Sequence, residues 1–327
     1  MISLGIDTSN YTTSAALYDG AQIRQEKQPL PVKSGARGLR QSEALFHHNA
    51  QLPELLERLL SNAPGPIEAV GVSDKPRSAE GSYMPCFLAG VSVARGIAAA
   101  LRVPLRRFSH QEGHLAAALY AAGRLAWRER AYLAFHVSGG TTECLLVTPQ
   151  ETRLLGGTED LNAGQAVDRV GLMLGLDFPA GPALDKLAQG GALPRFIKVN
   201  QKSFTCSFSG LENQCRQLIG QGSPPEGVAL YCIEFISHCL ENIARAAIGE
   251  YGALPLLFTG GVSCSEVLRR HILGQFPGAV FAPPAFSADN AAGIAVLAGA
   301  SPENIDSPLE AGEAHAVHSG HLGQPTQ

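Results

Sequence analysis

The chain has no apolar run long enough to cross a bilayer, so a membrane-spanning helix is not expected. Its first residues lack the basic stretch and small-residue cleavage site of a signal peptide, which reads as a cytosolic protein. No two of the seven cysteines have CxxC spacing, and the odd count speaks against a disulfide framework or a zinc knuckle. Cys232 and Cys239 fall in an apolar helical pattern and read as core. Charged residues are few, at 17%, against 45% apolar, a globular rather than a disordered balance. A net charge of −4 argues against a stand-alone nucleic-acid binder with a broad basic face, but not against a local basic patch. The clusters Arg102, Arg106, Arg107 and Arg269, Arg270 read as solvated helix ends.

What the chain does have is one short pattern written twice. Leu4–Tyr18 reads LGIDTSNYTTSAALY and Leu133–Val147 reads LAFHVSGGTTECLLV. Each is an apolar strand, a turn of Gly, Ser, Thr or Asn, and a second apolar strand, the pattern of a β-hairpin. Hydroxyls and exposed backbone N–H groups in such a turn suit phosphate oxygens. The first turn offers Asp7, Thr8, Ser9 and Asn10. Two copies, each opening half of the chain, predict two similar lobes with a nucleotide in the cleft between them.

Around the hairpins, helices and strands alternate. The spacing predicts a helix over 40–60, a buried strand over 69–73, a small-residue helix over 86–101 and a helix over 110–122 capped by Ser109. In the second half helices are expected near 163–175, 182–189, 209–220, 227–250, 263–273 and 289–299, with an apolar strand at 254–258. This predicts an α/β fold of the actin/hexokinase/Hsp70 (ASKHA) type, two ribonuclease-H-like lobes with a ligand cleft. A doubly wound sheet and a single ribonuclease-H-like unit are the alternatives. The expected division is 1–125 for the N-terminal lobe, 126–300 for the C-terminal lobe and 301–327 for a polar tail.

Four groups of residues could carry chemistry. His110 and His114 stand four apart on a helix, so both rings reach one side and can meet one metal ion, or serve as two half-buried histidines. Gln111 follows the first histidine where a zinc protease needs glutamate, which argues against proteolysis. Asp289 opens the last helix as its cap or as a third, carboxylate ligand; two imidazoles and a carboxylate suit Fe(II) or Zn(II) better than Mg(II). The turn Val137, Ser138, Gly139, Gly140, Thr141 and the strand–turn–helix at Gly260, Gly261 and Ser265 allow close backbone approach to an anion. Asp168 could bind a ribose hydroxyl or pair with a base, and Gly181 sits in a rigid Pro-flanked turn beside it.

In this order IDTSNYTTSAAL, HQEGHLAA, VSGGTTE, AGQAVDRVGLMLGL, FPAGPALDKLA, SFSGL, TGGVS and DNAAGIA resemble the family of the tRNA N6-threonylcarbamoyladenosine synthase catalytic subunit, once labelled glycoprotease or M22. The resemblance runs from about Ile2 to Ala300. It implies the two-lobe fold, a metal on His110, His114 and Asp289, and an adenine nucleotide or acyl-adenylate held by 137–141, Asp168, Gly181 and 260–265. It implies transfer of threonylcarbamoyl from its adenylate to N6 of adenosine 37 of tRNA. The implied partners are tRNA, an adenylate-forming enzyme, a smaller paralogous subunit and an ATPase. Thr141 stands where the family has histidine and Ser265 where it has asparagine. These departures keep two other readings open: a non-catalytic nucleotide-binding scaffold, and a carbamoyltransferase with a small-molecule acceptor.

Overall fold

A computed structural model describes residues 1–9, 11–31, 39–78, 81–199, 202–286 and 291–300. The repeated pattern folds as repeated architecture. In the first half, β1 (Ser3–Asp7), β2 (Thr12–Tyr18) and β3 (Ile23–Pro29) form a meander. It is followed by α1 (Gln41–Leu60), β4 (Ala69–Lys75), α2 (Phe87–Leu101), β5 (Leu105–Ser109) and α3 (His110–Ala121). In the second half, β6 (Tyr132–Val137), β7 (Thr142–Val147) and β8 (Thr152–Thr158) repeat the meander. The chain continues through α4 (Ala163–Met173), α5 (Gly181–Ala188), β9 (Thr205–Cys206), α6 (Ser209–Gly220), α7 (Pro225–Tyr251), β10 (Leu256–Thr259), α8 (Glu266–Gln275), β11 (Val280–Phe281) and α9 (Ala292–Ala300).

The strand order is β3-β2-β1-β4-β5 in one sheet and β11-β10-β6-β7-β8-β9 in the other. Read from the meander inward, both run third, second, first strand and then two parallel strands. β1 pairs antiparallel with β2 and parallel with β4, as β6 does with β7 and β10. The duplication predicted from two hairpins therefore extends to whole sheets, as an ASKHA fold requires.

Side-chain alternation decides what each sheet face meets. Leu4 and Ile6 of β1 point toward α1 and α2 in one core. Ser3, Gly5 and Asp7 lie on the other face, under α9 and α3. Gly5 is needed there, because a β-carbon would stand 2.3 Å from the Ala295 amide nitrogen. The β6 residues Leu133, Phe135 and Val137 enter the largest core with α4, α6 and α7. Tyr132 and Ala134 face α3 through Leu115 and Leu119. α3 is thus covered by both sheets.

Two sequence expectations change. α9 was assigned with residues 126–300, but it packs on the first sheet and on α3, with Ile294 and Ala298 beside Phe108 and Ala116. Small residues allow this: a β-carbon on Gly293 would lie 1.8 Å from the Gly113 carbonyl oxygen. Arg106 is not at a solvated helix end. It lies in β5, 5% exposed, and its guanidinium donates to the Ala298 carbonyl at the end of α9. The six cysteines other than Cys264 are buried, Cys232 and Cys239 among them, and none of the seven is in a disulfide. No helix among the described residues is long and apolar enough to cross a membrane. The tail 301–327 lies outside the described residues.

Candidate metal centre and nucleotide cleft

The helix that carries the two histidines is fixed at its first turn. Ser109 accepts from the Glu112 amide at 3.2 Å, and the Glu112 carboxylate accepts from the Ser109 amide at 2.7 Å. This capping box is worth about 1 kcal/mol and sets where the first helical residue, His110, points. One turn later His114 is 5% exposed. The two rings meet edge to face, 4.3 Å between centroids, with Nε2 to Nε2 at 2.9 Å.

Asp7, at the end of β1, holds the far side of His110. Its Oδ2 lies 2.7 Å from His110 Nδ1, and its Oδ1 accepts from the Ser9 amide at 2.7 Å. Burial pushes the Asp7 carboxyl up, but the charge and hydrogen bonds of His110 and Ser9 outweigh it, and the net shift is downward. With the Asp7 carboxylate at Nδ1, a neutral His110 carries its proton on Nδ1 and turns its Nε2 lone pair toward His114. A buried carboxylate behind one imidazole, with a second imidazole nitrogen converging on the first, suits a transition-metal site with an orienting partner. The residues present fit a divalent ion. Asp289, the expected third ligand, lies outside the described residues.

His136 was missed in the sequence. It alternates with Tyr132 and Ala134 on β6, and its ring centroid is 5.1 Å from that of His114. Glu143 of β7 was missed as well. It accepts from Gln111 at 3.1 Å and pairs with Arg77 at 2.6 Å, so a loop of the first lobe, α3 and the second sheet meet at one carboxylate. Burial raises its pKa, and Arg77 and Gln111 oppose the rise.

Asp7 and Thr8 of the first hairpin turn are engaged within the protein. Asp7 is committed to His110. The Thr8 hydroxyl donates to the Cys86 carbonyl at 3.1 Å and accepts from the Gly90 amide at 3.1 Å, which ties the turn to α2. Ser9 Oγ is buried with no partner among the described residues. Asn10 lies outside them.

The second half of the chain holds a cavity of about 690 Å³, which none of Asp7, His110 and His114 lines. Five of the sequence candidates line it: Gly139, Asp168, Gly181, Gly261 and Ser265. The apolar wall comes from Val167 of α4 and from Ile233 and Ile236 of α7. The second hairpin turn enters the cavity at Gly139, and the chain packs there backbone to backbone. Gly164 would place a β-carbon 2.6 Å from the Gly139 Cα, and Gly260, at φ +94°, would place one 2.4 Å from the Val137 carbonyl oxygen. Ser138 and Thr141 close the turn on each other, Ser138 N to Thr141 O at 2.7 Å and Thr141 N to Ser138 Oγ at 3.1 Å. Val137 is wholly buried. Asp168 accepts from the Ala180 amide at 2.8 Å and so positions the cis Phe178–Pro179 turn that leads to Gly181.

The start of α8 is already neutralised. Asp185, 9% exposed, accepts from the Ser265 hydroxyl and from the amides of Glu266 at 3.1 Å and Val267 at 3.3 Å. The positive helix end that sequence reasoning offered to a ligand anion is thus answered by the protein's own carboxylate. Asp185 stands in the FPAGPALDKLA stretch, but the sequence does not reveal that it reaches α8, 80 residues away. A smaller cavity, about 290 Å³, opens past α3 between Phe108, Leu115 and Tyr132; it holds none of the predicted site residues.

Residues 30–296 match the family model described as TsaD, tRNA N6-adenosine threonylcarbamoyltransferase. Proteins of that name from Geobacter sulfurreducens and Methanopyrus kandleri are 34% and 31% identical, each over 90% of this chain and over 90% and 86% of their own lengths. Among solved structures, full-length HypF in a phosphate- and nucleotide-bound form superposes with a TM-score of 0.59 at 11% identity. The alignment covers 90% of this chain and 45% of HypF. A ROK family glucokinase from Streptomyces griseus, in complex with glucose and AMPPNP, gives a TM-score of 0.50 at 11% identity over 91% of this chain and 99% of its own. Those two likenesses concern the fold.

Proposed function

Because the chain belongs to the tRNA N6-adenosine threonylcarbamoyltransferase family, we propose that its cleft transfers threonylcarbamoyl from threonylcarbamoyl-adenylate to N6 of adenosine 37 of tRNA. The bond from N6 to the carbamoyl carbon forms, the bond from that carbon to the phosphate oxygen breaks, AMP leaves, and N6 loses one proton. The observation that carries this reading is the convergence of the His110 and His114 Nε2 atoms, 2.9 Å apart and backed by Asp7, in a fold that also holds a glycine-walled cavity of nucleotide size.

His110 and His114, with Asp289 as third ligand, would hold one divalent ion, Fe(II) or Zn(II). Bound there, the ion supplies a Lewis acid for the donor's oxygens. Asp7 keeps His110 in the ligating tautomer. The adenylate occupies the 690 Å³ cavity. Gly139, Gly261 and the turn 137–141 admit it against the backbone, the Val167–Ile236 wall takes the adenine, and Asp168 and Gly181 face the ribose. Asp185 and Ser265 form the floor at α8. The low net basicity of this chain fits recognition of tRNA together with partner subunits, a smaller paralogue and an ATPase, in the cytosol. Exposed Phe46 on α1 and Leu88 on α2 offer apolar surface for one of them.

Cells depleted of their own synthase test the reading. Expression of this chain with its partner subunits is expected to restore the modified nucleoside in total tRNA, and a folded His114→Ala chain is expected not to. Failure of the unmodified chain, or full restoration by His114→Ala, overturns the proposal.

A further inference from the structure

A second cluster of metal-binding side chains lies away from His110. Glu234 and His238 stand one turn apart on the same face of α7. His271 reaches them from α8. One donor atom from each of the three lies within 4.8 Å of the others. The two imidazoles meet edge to face with centroids 4.5 Å apart, and Glu234 Oε2 is 2.6 Å from His271 Nδ1.

We propose that Glu234, His238 and His271 bind a second divalent transition-metal ion, Zn(II), at the crossing of α7 and α8. Two imidazoles and one carboxylate, with a position left for water, form a donor set suited to zinc rather than to Mg(II) or Ca(II), which take oxygen ligands. The outer partner is present too. Glu241 Oε2 lies 2.9 Å from His271 Nε2, the nitrogen that Glu234 does not meet. Arg245 donates to the other oxygen of Glu241 at 2.8 Å and fixes that carboxylate. A carboxylate on the far nitrogen of a ligating histidine orients the ring and raises its basicity.

A plain ion-pair network explains less of this geometry. It would use His271 between Glu234 and Glu241, but it leaves His238 turned edge-on to His271 with only a 3.5 Å contact to Glu241. A metal ion uses all three donors at once. The His238 side chain is 40% exposed, so an ion can enter from solvent. The position also gives the ion a mechanical role. Ile233 and Ile236 of α7 and Ser265 and Glu266 at the head of α8 all line the nucleotide cavity. An ion joining α7 to α8 clamps two of its walls.

The test reads metal content and not transferase activity, so it is independent of the proposed reaction. Full-length protein is stripped with chelator, dialysed against zinc chloride and assayed for bound zinc. The His110→Ala/His114→Ala chain is expected to retain one equivalent, and adding His238→Ala is expected to remove it. His238→Ala alone is expected to bind one equivalent less than the unmodified chain. Glu241→Gln is expected to keep the stoichiometry and weaken zinc affinity tenfold to a hundredfold. Circular dichroism confirms that each chain is folded. Equal zinc content with and without His238, in folded protein, overturns the proposal.

Discussion

Replacing Asp7 by asparagine separates the orientation of His110 from its presence. The change keeps size and shape in a site that is 1% exposed. The asparagine oxygen can still accept from the Ser9 amide, which Asp7 Oδ1 does at 2.7 Å. Its NH2 group then replaces the carboxylate oxygen that stands 2.7 Å from His110 Nδ1. A donor at that point requires Nδ1 to accept, so the imidazole proton moves to Nε2, the nitrogen aimed at His114. A protonated Nε2 cannot ligate. Loss of such an orienting partner weakens metal binding about 10- to 100-fold, or ~1.4–2.8 kcal/mol. Competition against a chelator of known affinity measures this, in a His238→Ala background so that only the His110 centre is read. The melting temperature of the metal-free chain shows whether the fold is intact. A folded Asp7→Asn chain that binds zinc or Fe(II) as tightly as its parent refutes the argument that Asp7 sets the tautomer.

Two further outcomes follow from the packing and the charges. Gly293→Ala puts a methyl group 1.8 Å from the Gly113 carbonyl, on the helix that carries both histidines. It is expected to destabilise the chain by about 1–3 kcal/mol in chemical denaturation and to weaken metal binding at His110; unchanged stability contradicts the flush packing of α9 on α3. Asp160 accepts from the amides of Phe208 at 2.8 Å and Ser209 at 3.0 Å and from the Ser207 hydroxyl at the start of α6. Burial pushes its carboxyl up, but these hydrogen bonds outweigh that and hold it below the usual carboxylate range. A lowered folded-state pKa gives stability that is present above the unfolded value, about 3.9, and is lost as pH falls through the folded value. Asp160→Asn is therefore expected to cost about 1 kcal/mol at pH 7, allowing for solvent screening, and the gap in melting temperature is expected to close below pH 4. A gap that is constant with pH assigns the effect to shape instead of charge.

The parts of the fold legible in the sequence are those with local causes. Hairpin alternation is written in the strands themselves, so β1–β2 and β6–β7 could be read directly. The i, i+4 spacing of His110 and His114 could be read the same way, and Ser109 marked the helix start. What escaped depends on distance along the chain. Asp7 was visible as a turn residue, but its partner stands 103 positions away. Asp185 and Ser265 meet across 80 positions. Arg106 looked solvated because LRRF has two adjacent charges, yet a strand turns neighbours to opposite faces, and only one of them is buried. The small residues of α9 gave no hint of which sheet they would cover. Apolar burial is non-directional, and Gly5 and Gly71 of the first sheet, with Gly113 of α3, leave the room in which that helix fits.

The return of α9 to the first sheet has a consequence for biosynthesis. A ribosome delivers β1 through β5 early, with α1 and α2 to shield one side of the sheet. The other side keeps Gly5, Ala16 and Gly71 uncovered until Ala292–Ala300 has left the exit tunnel. The half made first is thus finished last, and a nascent chain stalled before that helix would expose an open sheet face to chaperones.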